Sequence, residues 1–390
     1  MSVHTQLRRT RFVCISDTHN TLPKLPPGDV LVHAGDLTNQ GSFSELQKTV
    51  AWLEKAPFEC KLVIAGNHDI TLDSTFYAEY GSRFHNQGAQ DTEQCFHLLK
   101  QSSSITYLEH EAKTIYLTRP EGPQTKFKVF GSPYSPSRGL WAFGYGPEDA
   151  DRLWDQISLD SDIVITHTPP KYHCDDSPAR GPAGCEALRQ ALWRIRPRLA
   201  VCGHVHEARG AKIVLWDLHS PSVKYREFES IEWKLGEVGT KKQDRVDLTS
   251  RSRRRLLNDG AIGNISQDEL AAQQRRREQE VASTGDATSE SRPDDAASQL
   301  PNFHQSETVR RPFPPTTDAP NTLFPATQGQ GEDSTGGRCD VETLSGREGR
   351  EGRAETCIVN ASILGSSYPH PAGKRFNQPI IVDLELPMVH

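Results

Sequence analysis

Three short stretches in the N-terminal third decide the fold: RFVCISDTHN at residues 11–20, DVLVHAGDLT at residues 29–38 and KLVIAGNHDI at residues 61–70. Each contains a short apolar run rich in Val, Ile or Leu, which is typical of a buried strand, and each then turns polar. Between the last two lies an amphipathic segment that begins at Ser42 and has Glu45 three residues later, a capping-box pattern that predicts a helix. This order of strand, helix and strand favours parallel pairing, in which functional groups gather beyond the carboxyl ends of the strands.

The alternation of strands and helices continues along the chain. Residues 105–107 and 114–117 have the pattern of a β-hairpin. Further strands are predicted at residues 127–130, 162–166, 199–202, 212–216, 356–359 and 379–384, and further helices at residues 148–157 and 186–195. Together these elements predict an α/β protein in which a mixed sandwich of strands has helices outside.

A long polar stretch interrupts this pattern between residues 235 and 353. It is dominated by Arg, Gln, Glu, Asp, Ser, Thr, Gly and Pro and has few large apolar side chains, so it cannot bury enough surface to fold. We therefore expect one globular domain in two pieces, residues 1–234 and 354–390, with a disordered low-complexity insert at residues 235–353. The insert is a candidate for binding protein partners.

Composition limits the classes of function. A net charge of −6 gives no basic face for general nucleic-acid binding, and the arginine clusters at residues 251–255 and 275–277 lie inside the predicted insert. The eight cysteines form no zinc-finger pattern, and those inside strands are expected to be buried thiols. No signal segment or membrane-spanning apolar run is recognised, so we expect a cytoplasmic protein, with the nucleus as an alternative location.

Polar residues with metal-binding side chains follow five of the predicted strands. They are Asp17, His19, Asp36, Asn67, His68, His167, His204 and His206. Strand ends project into the same rim, so these side chains should converge. Carboxylates, imidazoles and an amide suit a pair of divalent ions that share one carboxylate, and Asp36 is the natural bridge.

A glycine precedes three of these residues. Gly35, Gly66 and Gly203 are each predicted to let the backbone turn sharply at a strand end. Each motif alone has an ordinary structural explanation, such as a turn carboxylate or a surface imidazole. Their order along the chain, each after a strand, is what favours a metal site. His33, inside a strand, is expected to be packed and hydrogen-bonded behind that site.

The same motifs resemble those of calcineurin-like metallophosphoesterases. They are Asp17-Thr18-His19, Gly35-Asp36, Gly66-Asn67-His68-Asp69, His167 and Gly203-His204-Val205-His206. Within that superfamily the chain most resembles the metallophosphoesterase-domain-containing proteins related to class III cyclic-nucleotide phosphodiesterases, and residues 359–362 and 377–384 look like the last two strands of that group. The resemblance implies a four-layer α/β/β/α sandwich of two mixed sheets.

The resemblance also implies a division of roles. Asp17, His19, Asp36 and His206 would hold one metal, and Asp36, Asn67, His167 and His204 the other. His68 would face the scissile phosphate as a catalytic residue, with Asp69 as its orienting carboxylate, and the nucleophile would be a hydroxide bridging the metals. Asn67 and His68 would contact substrate. His173, in a Pro-rich loop after His167, is a further candidate substrate contact.

The expected function is hydrolysis of a phosphate ester, most simply a small phosphodiester such as a cyclic nucleotide. A phosphomonoesterase or protein phosphatase is one alternative, and a metal- or nucleotide-binding scaffold with little turnover is another. The ligand set can accommodate Mn, Fe, Zn or Mg. The aromatic residues Tyr134, Trp141 and Phe143 are expected to pack in the core, with stacking on a nucleobase as the alternative.

Overall fold

A computed structural model describes residues 6–179, 181–217, 227–236, 243–252, 254–256, 352–366, 369–370 and 373–389, all of which belong to one compact unit of the chain. Its strands are β1 (Leu7–Ile15), β2 (Val30–Ala34), β3 (Cys60–Ile64), β4 (Thr106–Tyr107), β5 (Glu111–Tyr116), β6 (Lys126–Ser132), β7 (Ser135–Pro136), β8 (Gly144–Tyr145), β9 (Ile163–Thr166), β10 (Asp176–Ser177), β11 (Gly181–Pro182), β12 (Leu199–Cys202), β13 (Gly210–Trp216), β14 (Glu227–Glu232), β15 (Asp244–Asp247), β16 (Glu355–Asn360) and β17 (Ile380–Pro387). Its helices are α1 (Phe43–Lys55), α2 (Ser74–Phe84), α3 (Thr92–Lys100), α4 (Ala150–Trp154) and α5 (Glu186–Ile195). None of the helices described is long and apolar enough to span a bilayer.

Two mixed sheets contain most of the strands. The first has the order β15-β17-β1-β2-β3-β4, with β1 to β4 parallel and β17 antiparallel to β1. The second has the order β14-β13-β16-β12-β9-β6-β5, with β16, β12, β9 and β6 parallel. The parallel strands at the centre of each sheet end at the same edge of the fold.

Alternating apolar residues hold the two sheets together. One face of β1 points at the second sheet, where the rings of Phe12 and Phe127 meet edge to face with centroids 5.4 Å apart. The other face, with Val13 and Ile15, is covered by Leu46 and Leu53 of α1. Helices α4 and α5 pack together beside the second sheet, where the Trp193 indole N–H of α5 donates to Asp217 O just after β13. The fold is therefore the four-layer α/β/β/α sandwich that the resemblance implied.

The cap of α1 is as predicted. Ser42 Oγ accepts from the backbone N–H of Glu45, and the Glu45 carboxylate accepts from the backbone N–H of Ser42 at 2.9 Å. The predicted hairpin is wrong, because β4 pairs with β3 in the first sheet while β5 pairs with β6 in the second. Leu108, which lies between β4 and β5, is buried in the core between the two sheets. The free energy gained by burying it outweighs that of pairing β4 with β5 as a hairpin.

Strand β15 lies inside the stretch predicted to be an insert. It adds parallel to β17, and its Arg245 Nε donates to Asp383 Oδ2 at 2.6 Å. Val246 and Leu248 are buried in the core between the sheets. Charged residues alternate with apolar ones in this segment, so its composition does not predict the strand. Tertiary pairing with β17 stabilises it instead. The folded part thus extends beyond residue 235, and residues 257–351 of the predicted insert lie outside the described residues.

The chain leaves and re-enters this fold far from the carboxyl ends of β1, β2 and β3. Strand β15 runs antiparallel to β1 and leads toward Leu256, whereas β16 begins beside the amino end of β12. The return point is fixed by Arg353, whose guanidinium donates to Ser161 O at 2.7 Å and to Asp162 Oδ1 at 2.6 Å. The attachment points are therefore at the opposite end of the sheets from the polar strand ends.

We expect that deleting residues 257–351 will leave catalysis intact. With Leu256 and Gly352 joined by a flexible linker of about 12 residues, kcat/KM for the phosphate-ester hydrolysis that the resemblance implies should stay within about twofold of that of the full chain, because neither attachment point is near the polar strand ends. Steady-state kinetics and thermal unfolding of both proteins measure this. A loss of activity on the order of tenfold, with unchanged unfolding temperature, would contradict the expectation.

Candidate metal centre

The carboxyl ends of β1, β2, β3, β9 and β12 meet at one edge of the sandwich. The structure brings seven of the predicted residues together there: Asp17, His19, Asp36, Asn67, His167, His204 and His206. Most are buried, and Asp17 and His167 have no exposed surface. Their ligand atoms form two adjoining clusters, one on each side of Asp36.

The first cluster joins β1 to the segment after β12. His206 Nε2 lies 3.3 Å from both His19 Nε2 and Asp17 Oδ1, and His19 Nε2 lies 3.6 Å from Asp36 Oδ2. One ligand atom from each of these four residues lies within 4.8 Å of the others. The cluster is thus compact enough for one ion.

Hydrogen bonds at the far side of each ring show what the first cluster fits. His19 Nδ1 faces the carbonyl oxygen of Thr38 and His206 Nδ1 faces that of Ser366, both at 3.2 Å. A carbonyl accepts only, so each neutral ring carries its proton on Nδ1 and turns an Nε2 lone pair inward. Two lone pairs and two carboxylates then point at one place, which is the donor set of a divalent cation.

The second cluster lies across Asp36. Asn67 Oδ1 is 3.0 Å from His167 Nε2 and 2.8 Å from His204 Nδ1, and His167 Nε2 is 3.4 Å from Asp36 Oδ1. His167 Nδ1 donates to the carbonyl of Ala34 at 2.9 Å, which again directs Nε2 inward. Asp36 therefore presents one oxygen to each cluster.

The protonation of these groups follows from burial and from the carboxylates. Burial lowers the pKa of His167 and the Asp36 carboxylate raises it, and the balance raises it to about 9. Burial lowers the pKa of His19 to about 4 and that of His204 to about 3. In the metal-free protein one proton on His167 thus partly offsets the negative charge that cations would otherwise balance.

Backbone geometry at the strand ends is unusual. Asp17, Asp36 and His204 have φ of 50°, 53° and 66°, in the left-handed region that non-glycine residues seldom adopt. Gly35 also turns through positive φ, at 94°. Gly66 and Gly203 have no positive φ, although the chain turns at both, with the Asp69 N–H donating to Gly66 O at 3.1 Å and the Val205 N–H to Gly203 O at 2.7 Å. They give room instead, since a Cβ on Gly66 would meet the Asp36 carboxylate and one on Gly203 would meet Asp17.

Two residues near the end of the chain support the site and were not assigned a role from sequence. Ser362 Oγ donates to Asp17 Oδ2 at 2.7 Å, beside the backbone N–H of His204 at 3.1 Å. Asn360 Nδ2 donates to Val205 O at 2.9 Å and so fixes the loop that carries His204. Their positions on β16 and just after it bring them here, and no spacing rule links them to the motifs.

His68 lies at the mouth of the centre, and Asp69 lies beneath it. The backbone N–H of His68 donates to Asp36 Oδ1 at 2.8 Å, and its ring Nδ1 lies 2.8 Å from the carbonyl of Asn39. Asp69 accepts from the backbone N–H groups of Gly66, Leu37 and Thr38 and from the Thr38 hydroxyl, at 2.7 to 3.1 Å. The prediction that Asp69 orients the His68 ring is therefore wrong, because Asn39 holds that ring and Asp69 joins two strand-end loops.

Burial and the nearby Asp36 carboxylate raise the pKa of Asp69 to about 6, against the lowering effect of its donors. Cations in the centre would counter the repulsion from Asp36.

His33 is fully buried and its Nε2 lies 2.9 Å from Thr18 Oγ1, as expected for a packed residue behind the site.

His173 is not placed to contact substrate. Its side chain is 2% exposed, and its Nε2 lies 2.8 Å from Glu227 Oε1, which also accepts from Arg189 Nε at 2.6 Å. It does not line the cavity at the metal centre. The imidazole instead contacts Glu227, the first residue of β14, a strand that the sequence did not predict. The predicted contact between His173 and substrate is therefore wrong.

Glu227 should make stability depend on pH. Burial raises its pKa, but hydrogen bonds from His173 and Arg189 outweigh this and lower it from 4.5 to about 2. A lowered pKa stabilises the fold above the unfolded value, and this stability is lost as pH falls from 4.5 toward 2. Glu227→Gln should therefore have a lower unfolding temperature at neutral pH and a shallower decline in acid. Equal slopes in both proteins would contradict the assignment.

An open cavity of about 1010 Å³ lies over the two clusters. His68, Trp141 and Ser135 line it, and Arg138, His370 and Lys374 stand among its other lining residues. Among the described residues that line it, Asp36 is the one carboxylate. The cavity therefore suits an anionic ligand larger than phosphate alone.

The fold and the Asp/His cluster at its strand ends, which could hold a metal ion, are those of a metallophosphoesterase-type domain. The sequence profile of calcineurin-like phosphoesterases matches residues 10–208, half of the chain, and the chain belongs to that family.

Similar proteins share only part of their length with this chain. Over 210 residues it is 42% identical to the probable rhamnogalacturonate lyase C of Emericella nidulans, covering 53% of this chain and 18% of that protein. Over 216 residues it is 38% identical to human metallophosphoesterase domain-containing protein 1, covering 52% of this chain and 62% of that protein. A solved purple acid phosphatase from yellow lupin seeds matches with 14% identity and a TM-score of 0.32, over 55% of this chain and 40% of its own.

Proposed function

We propose that this protein is a two-metal phosphodiesterase that hydrolyses a small phosphodiester such as a cyclic nucleotide. The observation that carries the proposal is the position of Asp36, whose Oδ2 faces one cluster of ligand atoms and whose Oδ1 faces the other. A carboxylate between two sets of imidazole, amide and carboxylate donors is what a pair of divalent ions requires.

The two clusters define which residues would hold each ion. Asp17, His19 and His206 would act with Asp36 Oδ2, and Asn67, His167 and His204 with Asp36 Oδ1. When bound, divalent cations would act as Lewis acids on the phosphoryl group and lower the pKa of a water to about 7. Manganese is the metal that we propose to test first, followed by iron, zinc and magnesium.

The chain's own residues would orient the substrate and move a proton. His68 lines the cavity with its Nδ1–H held by Asn39 O, so Nε2 is the ring nitrogen left for substrate, and in the imidazolium form it would donate its proton to the departing oxygen. Arg138 and Lys374 would balance negative charge on the substrate at the rim. The cavity has the size of a site for a nucleotide-sized ligand, which supports a small phosphodiester such as a cyclic nucleotide.

A substrate panel tests the proposal. Purified protein is reconstituted with Mn²⁺ and assayed with bis-p-nitrophenyl phosphate, 3′,5′-cyclic AMP and p-nitrophenyl phosphate, with chelator-treated protein as the control. We expect turnover of the two diesters, faster than of the monoester, and none after chelation. Faster monoester hydrolysis would favour the phosphomonoesterase or protein phosphatase, and nucleotide binding without turnover would favour the scaffold.

A further inference from the structure

The imidazole of His68 is packed against the indole of Trp141, which lies in the loop between β7 and β8. The ring centroids of His68 and Trp141 are 3.9 Å apart, with the two planes 32° from parallel. On another side the ring of His19 meets His68 edge to face, with centroids 4.8 Å apart. The hydrogen bond from His68 Nδ1 to Asn39 O holds one edge of the imidazole, and the indole of Trp141 holds one of its faces.

The loop that carries Trp141 is fastened to the segment that carries His68. This loop follows β6 of the second sheet, yet the backbone N–H of Ala142 donates to Asn67 O at 3.3 Å. The next N–H, that of Phe143, donates to Asp73 Oδ2 at 2.9 Å, and Asp73 is also the N-cap of α2. The indole therefore has a fixed position relative to His68.

The far side of the indole is also supported. The ring of Phe84, at the end of α2, lies 5.4 Å from that of Trp141 between centroids. The order is thus Phe84, Trp141 and His68, an aromatic series that leads from α2 to the cavity. Such packing adds about 0.5–1.5 kcal/mol per pair beyond burial, enough to select one ring orientation.

A single hydrogen bond does not set the plane of an imidazole. With Nδ1 bound to Asn39 O, the ring of His68 can still tilt about that contact, and Nε2 would move relative to the substrate. Misplacement of a catalytic group by about 1 Å can lower a rate by about a hundredfold. Contact with a flat, immobile indole removes this freedom.

We propose that Trp141 is a positioning residue for His68, which sets the imidazole plane so that Nε2 meets the leaving oxygen. The inference rests on the proposed function, in which His68 donates a proton to that oxygen. Trp141 also lines the cavity, so direct stacking on the substrate is the competing role, and the two make different predictions.

The test compares leaving groups. Trp141→Leu and Trp141→Phe are assayed as full-length, Mn²⁺-loaded proteins with bis-p-nitrophenyl phosphate and with diphenyl phosphate, whose phenolate is the more basic leaving group. Proton donation matters more for a basic leaving group. We expect Trp141→Leu to lower kcat for diphenyl phosphate about 10- to 100-fold and kcat for the nitrophenyl ester much less, with KM nearly constant. Trp141→Phe should restore most of the loss.

Two controls accompany these variants. Trp193→Leu removes a tryptophan of α5 that does not line this cavity and should leave both substrates unaffected. In a His68→Ala background, Trp141→Leu should have no further effect. Without any assay of turnover, the Hε1 proton resonance of His68 should be shifted by the indole ring current in wild type and lose that shift in Trp141→Leu.

Several results would overturn the inference. They are an equal loss for both diesters, a rise in KM that persists without His68, or a His68 resonance unmoved by Trp141→Leu. If the rise in KM persisted in the His68→Ala background, the role of Trp141 would be direct stacking on the substrate. A wild type that hydrolyses neither diester would overturn the proposed function as well, whereas normal wild-type turnover with an unaffected Trp141→Leu overturns this inference alone.

Discussion

Asp36→Asn should lower kcat/KM for bis-p-nitrophenyl phosphate on the order of a thousandfold. The change replaces one of the two oxygens that face separate clusters by an NH₂ group, which donates and cannot bind a cation. Metal ions contribute several kcal/mol to stabilising charge in a transition state, and about 1.4 kcal/mol corresponds to tenfold in rate. Kinetics and the metal content of dialysed protein, measured together, test the prediction.

Asp160→Asn is the matched control. Asp160 makes a half-buried ion pair with Lys128 at 2.7 Å, far from the metal centre, and its carboxylate should matter little to catalysis. If Asp36→Asn kept two equivalents of metal and more than about a tenth of wild-type activity, Asp36 could not be the shared ligand.

Asp69→Ala should lower the free energy of unfolding by about 4 kcal/mol. The substitution removes the acceptor of three backbone N–H groups and one hydroxyl in a place without solvent access, and each unsatisfied buried donor costs about 1–3 kcal/mol. Water that enters the space left by the carboxylate would satisfy some of these donors and so reduce the total cost. Urea unfolding of the metal-free protein measures the change.

Asp91→Ala provides the comparison for Asp69. Asp91 caps α3 at the surface by accepting from Gln94 N at 3.0 Å, and losing one exposed cap should cost about 1 kcal/mol. Similar losses in the two variants would show that Asp69 does not join the loops after β2 and β3 as described.

The ligand cluster could be predicted because the physics that places it is local. A residue directly after a parallel strand must lie at the sheet's carboxyl edge, whatever the rest of the chain does. Asp17, Asp36 and His167 therefore converge once their strands are recognised. Strand Val30–Ala34 is apolar except for His33 and buried on both faces, so its pattern is clear in the sequence.

Side-chain direction could not be predicted in the same way. Asp69 and His173 each stand within a few residues of a ligand, but one turns under the loops and the other turns toward Glu227. Both choices depend on partners from remote segments. The role of Ser362 and the short strand β15 depend likewise on partners more than a hundred residues away, which the local sequence pattern does not encode.

Strand β17 lies between β1 and β15, although the ribosome makes it long after β1. Translation proceeds at about 5–20 residues per second, so roughly 20–70 s separate the emergence of Ile15 from that of Ile380. Throughout that interval β1 lacks its antiparallel neighbour and presents an open edge that can pair with other nascent chains. The late synthesis of β17 should therefore determine how strongly the nascent chain depends on chaperones.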